Sequence, residues 1–115
     1  MGVTDVHPGE IWLARLDPVT GHEQGGSRPV AVVSSDAFGT LPIRMAIVVP
    51  LTGRNRELVT QPRISGASTG RDRPSFARPE DIRSIAIDRL DRRLGHTTVE
   101  ELAEIRKLLR YFLDM

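Results

Sequence analysis

The 115-residue chain contains no cysteine. That absence removes disulfides, thiolate nucleophiles and thiolate metal ligands together, and it fits a reducing cytosol. Long apolar runs are missing too: no stretch approaches the about 20 residues that span a bilayer. The opening MGVTDVHPGE has neither the basic nor the apolar segment of a secretory signal. Together these features predict a cytoplasmic protein that does not cross a membrane. Lysine is nearly absent, with Lys107 the only one among 16 basic residues. Arginine suits bidentate phosphate contacts better than lysine does, although a GC-rich genome produces the same bias. There is no internal repeat, low-complexity tract or linker, and the length suits one domain with a modest core.

The net charge of +1 does not announce a nucleic-acid binder. Its distribution is more informative. Residues 53–73 carry Arg54, Arg56, Arg63, Arg71 and Arg73 against Glu57 and Asp72, whereas Glu100, Glu101 and Glu104 cluster near the end. A near-neutral total therefore conceals a basic region and an acidic one.

Residues 1–8 read as a flexible arm ending at Pro8, and residues 9–115 as a single domain. Residues 9–17 (GEIWLARLD) predict a strand buried partly on both faces. The short β-branched runs at 29–35 and 43–51 predict two more, joined by a connection with room for one helical turn. Residues 58–64 predict a strand whose Pro62 suits a sheet edge. The small, polar 65–70 stretch reads as a flexible loop, and residues 84–90 as the last strand. Strands in series without intervening helices indicate an antiparallel barrel or coiled sheet. The final segment is helical: Thr97 or Thr98 makes a capping box with Glu100 or Glu101, and Leu102, Ile105, Leu109 and Phe112 recur at helical spacing. Its expected role is to cover the barrel.

The chemistry concentrates in GHEQGGSRP, residues 21–29, where an imidazole, a carboxylate, an amide and a guanidinium stand among glycines. A metal centre is not indicated, because His7, His22 and His96 are scattered and no cysteine completes a set. The loop lacks the terminal Lys-Ser/Thr of a phosphate-binding loop and runs into a strand instead of a helix. No nucleophile-elbow pattern is present. Cofactor-free acid/base chemistry remains, and cleaving RNA needs little more, since the substrate supplies its own 2′-hydroxyl nucleophile. His22 or Glu23 could move the protons and Arg28 could neutralise the phosphate. The alternative on these residues alone is a solvated polar turn with a structural Arg28 ion pair.

The whole chain resembles the MazF/PemK family of toxin endoribonucleases. The resemblance rests on GEIWL near the start, on DP followed by GHEQGGSRP, and on VVPLT, in that order; it continues through SFARPEDIRSI and the closing helix. It implies an α+β fold, an SH3-like small antiparallel barrel or coiled sheet with a C-terminal helix packed on it, working as a homodimer. It also implies a metal-independent endoribonuclease that cuts single-stranded RNA at short motifs, leaves a 2′,3′-cyclic phosphate and uses no cofactor. The implied partner is a MazE/PemI-like antitoxin whose C-terminal segment occupies the RNA groove.

By the same resemblance Arg28 is the phosphate-neutralising arginine, Thr52 its partner near the scissile phosphate, and Glu23 the acid of the Glu-Gln pair. His22, Arg78 and Glu80 match the catalytic set of the PemK-like branch, with Glu80 standing where that branch has aspartate. A carboxylate one methylene longer can shift by about 1 Å, enough to cost about 100-fold. Gly53 replaces the small polar residue that often follows the threonine. Gln24, Gly25, Ser27, Arg54, Arg56 and Phe76 are candidate RNA contacts, Phe76 by stacking on a base. Trp12, the single tryptophan, is expected in the core or a dimer interface. Two other functions compete: an inactive family member that only binds antitoxin, and a CcdB-like gyrase poison. The second lacks support in the chain end LLRYFLDM, which has no terminal Trp-Gly-Ile.

Overall fold

The computed structural model describes residues 5–16 and 26–115. Apolar runs rich in β-branched residues, buried on both faces, build strands β1 (Glu10–Arg15), β2 (Ser27–Val32) and β3 (Met45–Thr52). Shorter strands follow: β4 (Arg63–Ile64), β5 (Ser75–Ala77), β6 (Arg83–Ala86) and β7 (Leu90–His96). All pairings are antiparallel and run in the order β4-β5-β3-β2-β1-β7, with β6 paired to β3 beside this path. Strand β3 pairs with β2 on one edge and divides its other edge between two partners. Residues 45–48 pair with β6, while Leu51 and Thr52 pair with β5.

A coiled sheet has two faces, and each acquires its own core. On the inner face Trp12, Ala14, Val30, Val32, Ala46, Val48, Ile85, Ile87 and Leu90 pack together. On the outer face Ile11, Ala31, Val49, Leu51, Ile64 and Ala77 pack against Ile105 and Leu109 of helix α3 (Val99–Leu113). Ile11, Val30, Val48, Val49, Ile64 and Ile105 are fully buried, each worth about 1.5–3 kcal/mol relative to exposure. Trp12 has a core role, and its indole Nε1 donates to the buried Glu10 carboxylate at 3.0 Å.

The mainly-β coiled sheet with its C-terminal helix matches the expected architecture. The capping box is made by Thr98 and Glu101, and the expected helical turn between the second and third strands is α1 (Asp36–Gly39).

Four local expectations change. Strand β2 starts at Ser27, two residues earlier than expected, so Ser27 and Arg28 lie on the strand and not in the preceding loop. Only Arg63 and Ile64 of residues 58–64 are extended. The 65–70 stretch is not a loose loop but helix α2 (Gly66–Thr69), capped by Ser65, with Ser68 and Thr69 buried. Finally, residues 84–90 are not the last strand. A turn of 3-10 helix at Ile87–Arg89 ends that segment, and β7 returns to pair with β1. Helix α2 packs on β7 where Gly95 has no side chain; a Cβ there would overlap the Ser68 carbonyl.

Candidate active site

The inner face is filled by its apolar core at the end of β3 that pairs with β6. At the other end the same face turns polar. Trp12 pairs with Val30, and Val30 with Pro50. Two residues further along these strands, on the same face because side chains alternate, stand Ala14, Arg28 and Thr52. Ala14 pairs with Arg28, Thr52 with Phe76, and Phe76 with Arg63. Carrying the β2–β3 register two residues on sets Arg28 opposite Thr52. One row thus crosses five adjacent strands as Arg63, Phe76, Thr52, Arg28 and Ala14. Each step is about 4.8 Å.

The Arg28 side chain is exposed and makes no hydrogen bond or ion pair with another described residue. Its guanidinium is available to an anion. Thr52 is half-buried, and its Oγ1 accepts from the Arg54 amide at 3.2 Å. That bond occupies a lone pair and leaves the hydroxyl hydrogen free to donate. Ala14, small and buried, keeps the neighbouring strand out of Arg28's way.

A second group lies two residues along the line of the β3–β5 ladder, just past the Leu51–Ala77 pair. The Arg78 amide donates to the Pro50 carbonyl at 2.9 Å. Its guanidinium is held by two carboxylates, with Nη2 at 2.9 Å from Asp81 and Nε at 3.5 Å from Glu80. Glu80 is the middle residue of a 3-10 turn (Pro79–Asp81) and accepts from Gln61 Nε2 at 2.6 Å. Gln61 is buried, and its Oε1 has no hydrogen-bond partner among the described residues. Glu80 is thus tied to a side chain from a different segment.

Of the expected site residues, Arg28, Thr52 and Phe76 converge in one row and Arg78 stands beside it. Glu80 is paired with Arg78 and Gln61, not with Arg28 or Thr52. Ser27 begins β2, exposed, one residue before Arg28. Arg54 and Arg56 are exposed in the segment that leaves β3. Gly26 has φ +63, a left-handed value suited to glycine, where the chain turns into β2. His22, Glu23, Gln24 and Gly25 lie outside the described residues. Among the described residues no three His, Asp or Glu side chains group as metal ligands.

Residues 7–113 match the family described as PemK-like, MazF-like toxin of type II toxin-antitoxin system. The chain belongs to that family. It is 37% identical over 112 residues to endoribonuclease MazF9 of Mycobacterium tuberculosis, covering 93% of this chain and 95% of the relative. It is 34% identical over 112 residues to endoribonuclease EndoA of Bacillus subtilis, covering 96% of each. Its fold is similar to the crystal structure of MazF from Deinococcus radiodurans, with a TM-score of 0.79 at 24% identity over 96% of this chain and 97% of that one.

Within this PemK/MazF-type chain, two side chains escaped the sequence reading. Arg63 looked like one more loop arginine; its place beside Phe76 follows from the β4–β5 register. Gln61 carried no motif at all. The only signal in its favour was an amide beside Pro62 and a predicted strand.

Proposed function

We propose that the chain is the toxin of a type II toxin–antitoxin pair, an endoribonuclease that acts in the cytoplasm on single-stranded RNA at short sequence motifs. The observation that carries this reading is the free Arg28 set beside Thr52 on adjacent strands of a family-typical sheet. The family match supports the reaction type.

In this mechanism the scissile phosphate sits over the Arg28–Thr52 pair. The 2′-oxygen attacks phosphorus and gives its proton to a general base. The bond from phosphorus to the 5′-oxygen then breaks, and a general acid protonates that oxygen. The products are a 2′,3′-cyclic phosphate and a 5′-hydroxyl, with no cofactor or metal in any step. Arg28 and the Thr52 hydroxyl stabilise the negative charge that grows on the phosphate oxygens. His22 and Glu23, in the segment that precedes β2 in sequence, supply the base and acid. Glu80 and Asp81 fix the position of the Arg78 guanidinium, while Arg54 and Arg56 hold flanking phosphates. Gln24, Gly25 and Ser27 touch the RNA backbone. A homodimer forms the full groove, and the C-terminal segment of a MazE/PemI-like antitoxin fills it when the toxin is silent.

The test replaces the attacking group. An RNA cleaved once by the protein is remade with a 2′-deoxy sugar on the 5′ side of the cut. Cleavage should vanish, and the parent product should carry a cyclic phosphate. Continued cutting of the deoxy substrate would rule this chemistry out.

A further inference from the structure

Gln61 is a buried polar residue that folding alone does not explain. It is 4 % exposed. Its own amide donates to the Leu58 carbonyl at 3.0 Å, and the next carbonyl, of Pro62, accepts from the Ala77 amide at 2.9 Å. The second bond brings Gln61 alongside the segment that begins at Arg78. Only one end of the side-chain amide can face a carboxylate, because a carboxylate solely accepts. Nε2 therefore meets Glu80 Oε2, and at 2.6 Å the contact is short and charge-assisted. The other end, Oε1, is buried with no partner among the described residues, and so is Arg78 Nε.

Leaving a buried acceptor unpaired costs stability. An unbranched apolar side chain such as methionine would fill the same space and leave no orphan. The benefit of the amide therefore lies in its hold on Glu80. That side chain is 38 % exposed, so water competes for its carboxylate. Both of its contacts use one oxygen: Oε2 meets Gln61 Nε2 and, at 3.5 Å, Arg78 Nε. Oε1 makes no hydrogen bond or ion pair with another described residue. The 3.5 Å contact to Arg78 is too long to give direction, whereas the Gln61 bond supplies it. Arg78 in turn is joined to β3, where its amide donates to the Pro50 carbonyl at 2.9 Å, two residues before Thr52. One path thus runs from Gln61 through Glu80 and Arg78 to the strand that carries Thr52.

We propose that Gln61 is a positioning residue for RNA cleavage. It fixes the Glu80 carboxylate by one oxygen and, through it, the Arg78 guanidinium, so that both groups are set before RNA arrives. This rests on the ribonuclease reading and deepens it, by naming a residue outside the expected set on which that set depends. Misplacing a reacting or orienting group by about 1 Å can cost about 100-fold.

The experiment is a double-mutant cycle on cleavage. With one short RNA that the protein cuts, kcat and KM are measured for the wild type, Gln61→Met, Glu80→Ala and the double variant, with melting temperatures alongside. Gln61→Ala is run in parallel, so that one poor fit in the core does not decide the result. Gln61→Met should keep or raise the melting temperature, since the orphaned acceptor is gone. Its kcat should fall about tenfold to 100-fold with KM little changed. In the Glu80→Ala background neither Gln61 change should lower kcat further, because the group it positions is absent. Unchanged kcat in both Gln61 variants would overturn the role while leaving the ribonuclease standing. An equal loss with and without Glu80 would overturn it too, since Gln61 would then act by another route. A wild type that cleaves no RNA would overturn both.

Discussion

Arg28 and Arg78 both stand by the Thr52 end of the sheet, but their surroundings differ. Arg78 is neutralised by Glu80 and Asp81, whereas Arg28 has no partner among the described residues. The free charge is the one able to respond to a phosphate. Thr52→Val removes one donor at nearly constant volume, so kcat should fall about 100-fold while the melting temperature changes little. A variant with unchanged kcat would take Thr52 out of the mechanism. Gln61→Ala should act on Glu80 and Arg78 together, lowering cleavage while Arg28 stays in place. Rescue in a Gln61→Asn variant would indicate positioning. His7 makes a separate prediction. Its Nδ1 lies 2.6 Å from Asp36 and its Nε2 3.0 Å from Asp5, while its amide donates to Glu10. The Asp36 hydrogen bond, then that of Asp5, raises its pKa above the ordinary 6.5. The contact is complete below pH 6.5 and loosens as pH rises through the raised value. An NMR titration should find that value high, and Asp36→Asn should bring it down. At this scale the sequence was readable for Arg28 and Thr52, because each sits in a short motif. It was silent on Gln61, whose role depends on a fold that brings residues nineteen positions apart together.

Among the elements, α3 was legible because several signals agreed: the cap, the apolar spacing and the charge order. Strand β7 was illegible for the opposite reason. Its Asp91, Arg92 and Arg93 are exposed, and charge along an outer strand hides apolar alternation while it blunts pairing with other chains. Helix α2 was hidden because small residues normally signal a loop; here their smallness permits close packing on β7. Glu101 fastens these pieces. Its carboxylate closes the Thr98 cap and also accepts from the Ser65 amide at 2.8 Å and the Ser68 hydroxyl at 2.7 Å. Burial alone would raise its pKa, but the Ser65, Thr98 and Ser68 hydrogen bonds outweigh it and hold the carboxyl below 4.5. A depressed folded-state value means that the contribution is full above about pH 4.5 and fades as pH falls through the lower value. Glu101→Ala should therefore cost about 2–3 kcal/mol at neutral pH, lowering Tm by about 10 °C. The gap to wild type should narrow in acid. A constant gap from pH 7 to pH 3 would mean that the carboxylate charge contributes nothing.

Over the whole molecule, one long strand divides labour along its length. The start of β3 closes the inner core with β6, and its end presents Thr52 between Arg28 and Phe76. Placing the reacting groups on paired strands gives them fixed positions, which pre-organised charge stabilisation requires. The loop expected over GHEQGGSRP stops short of its last residues, since Arg28 is set by β-sheet register. No described helix is long and apolar enough to cross a membrane. The most direct test of the account incubates purified protein with a long single-stranded RNA in EDTA, alongside Arg28→Ala. The account predicts cleavage at discrete sites by the wild type and loss of at least 100-fold in the variant. Folded wild type that leaves diverse RNAs intact, or an Arg28→Ala protein that cuts as well, would contradict it.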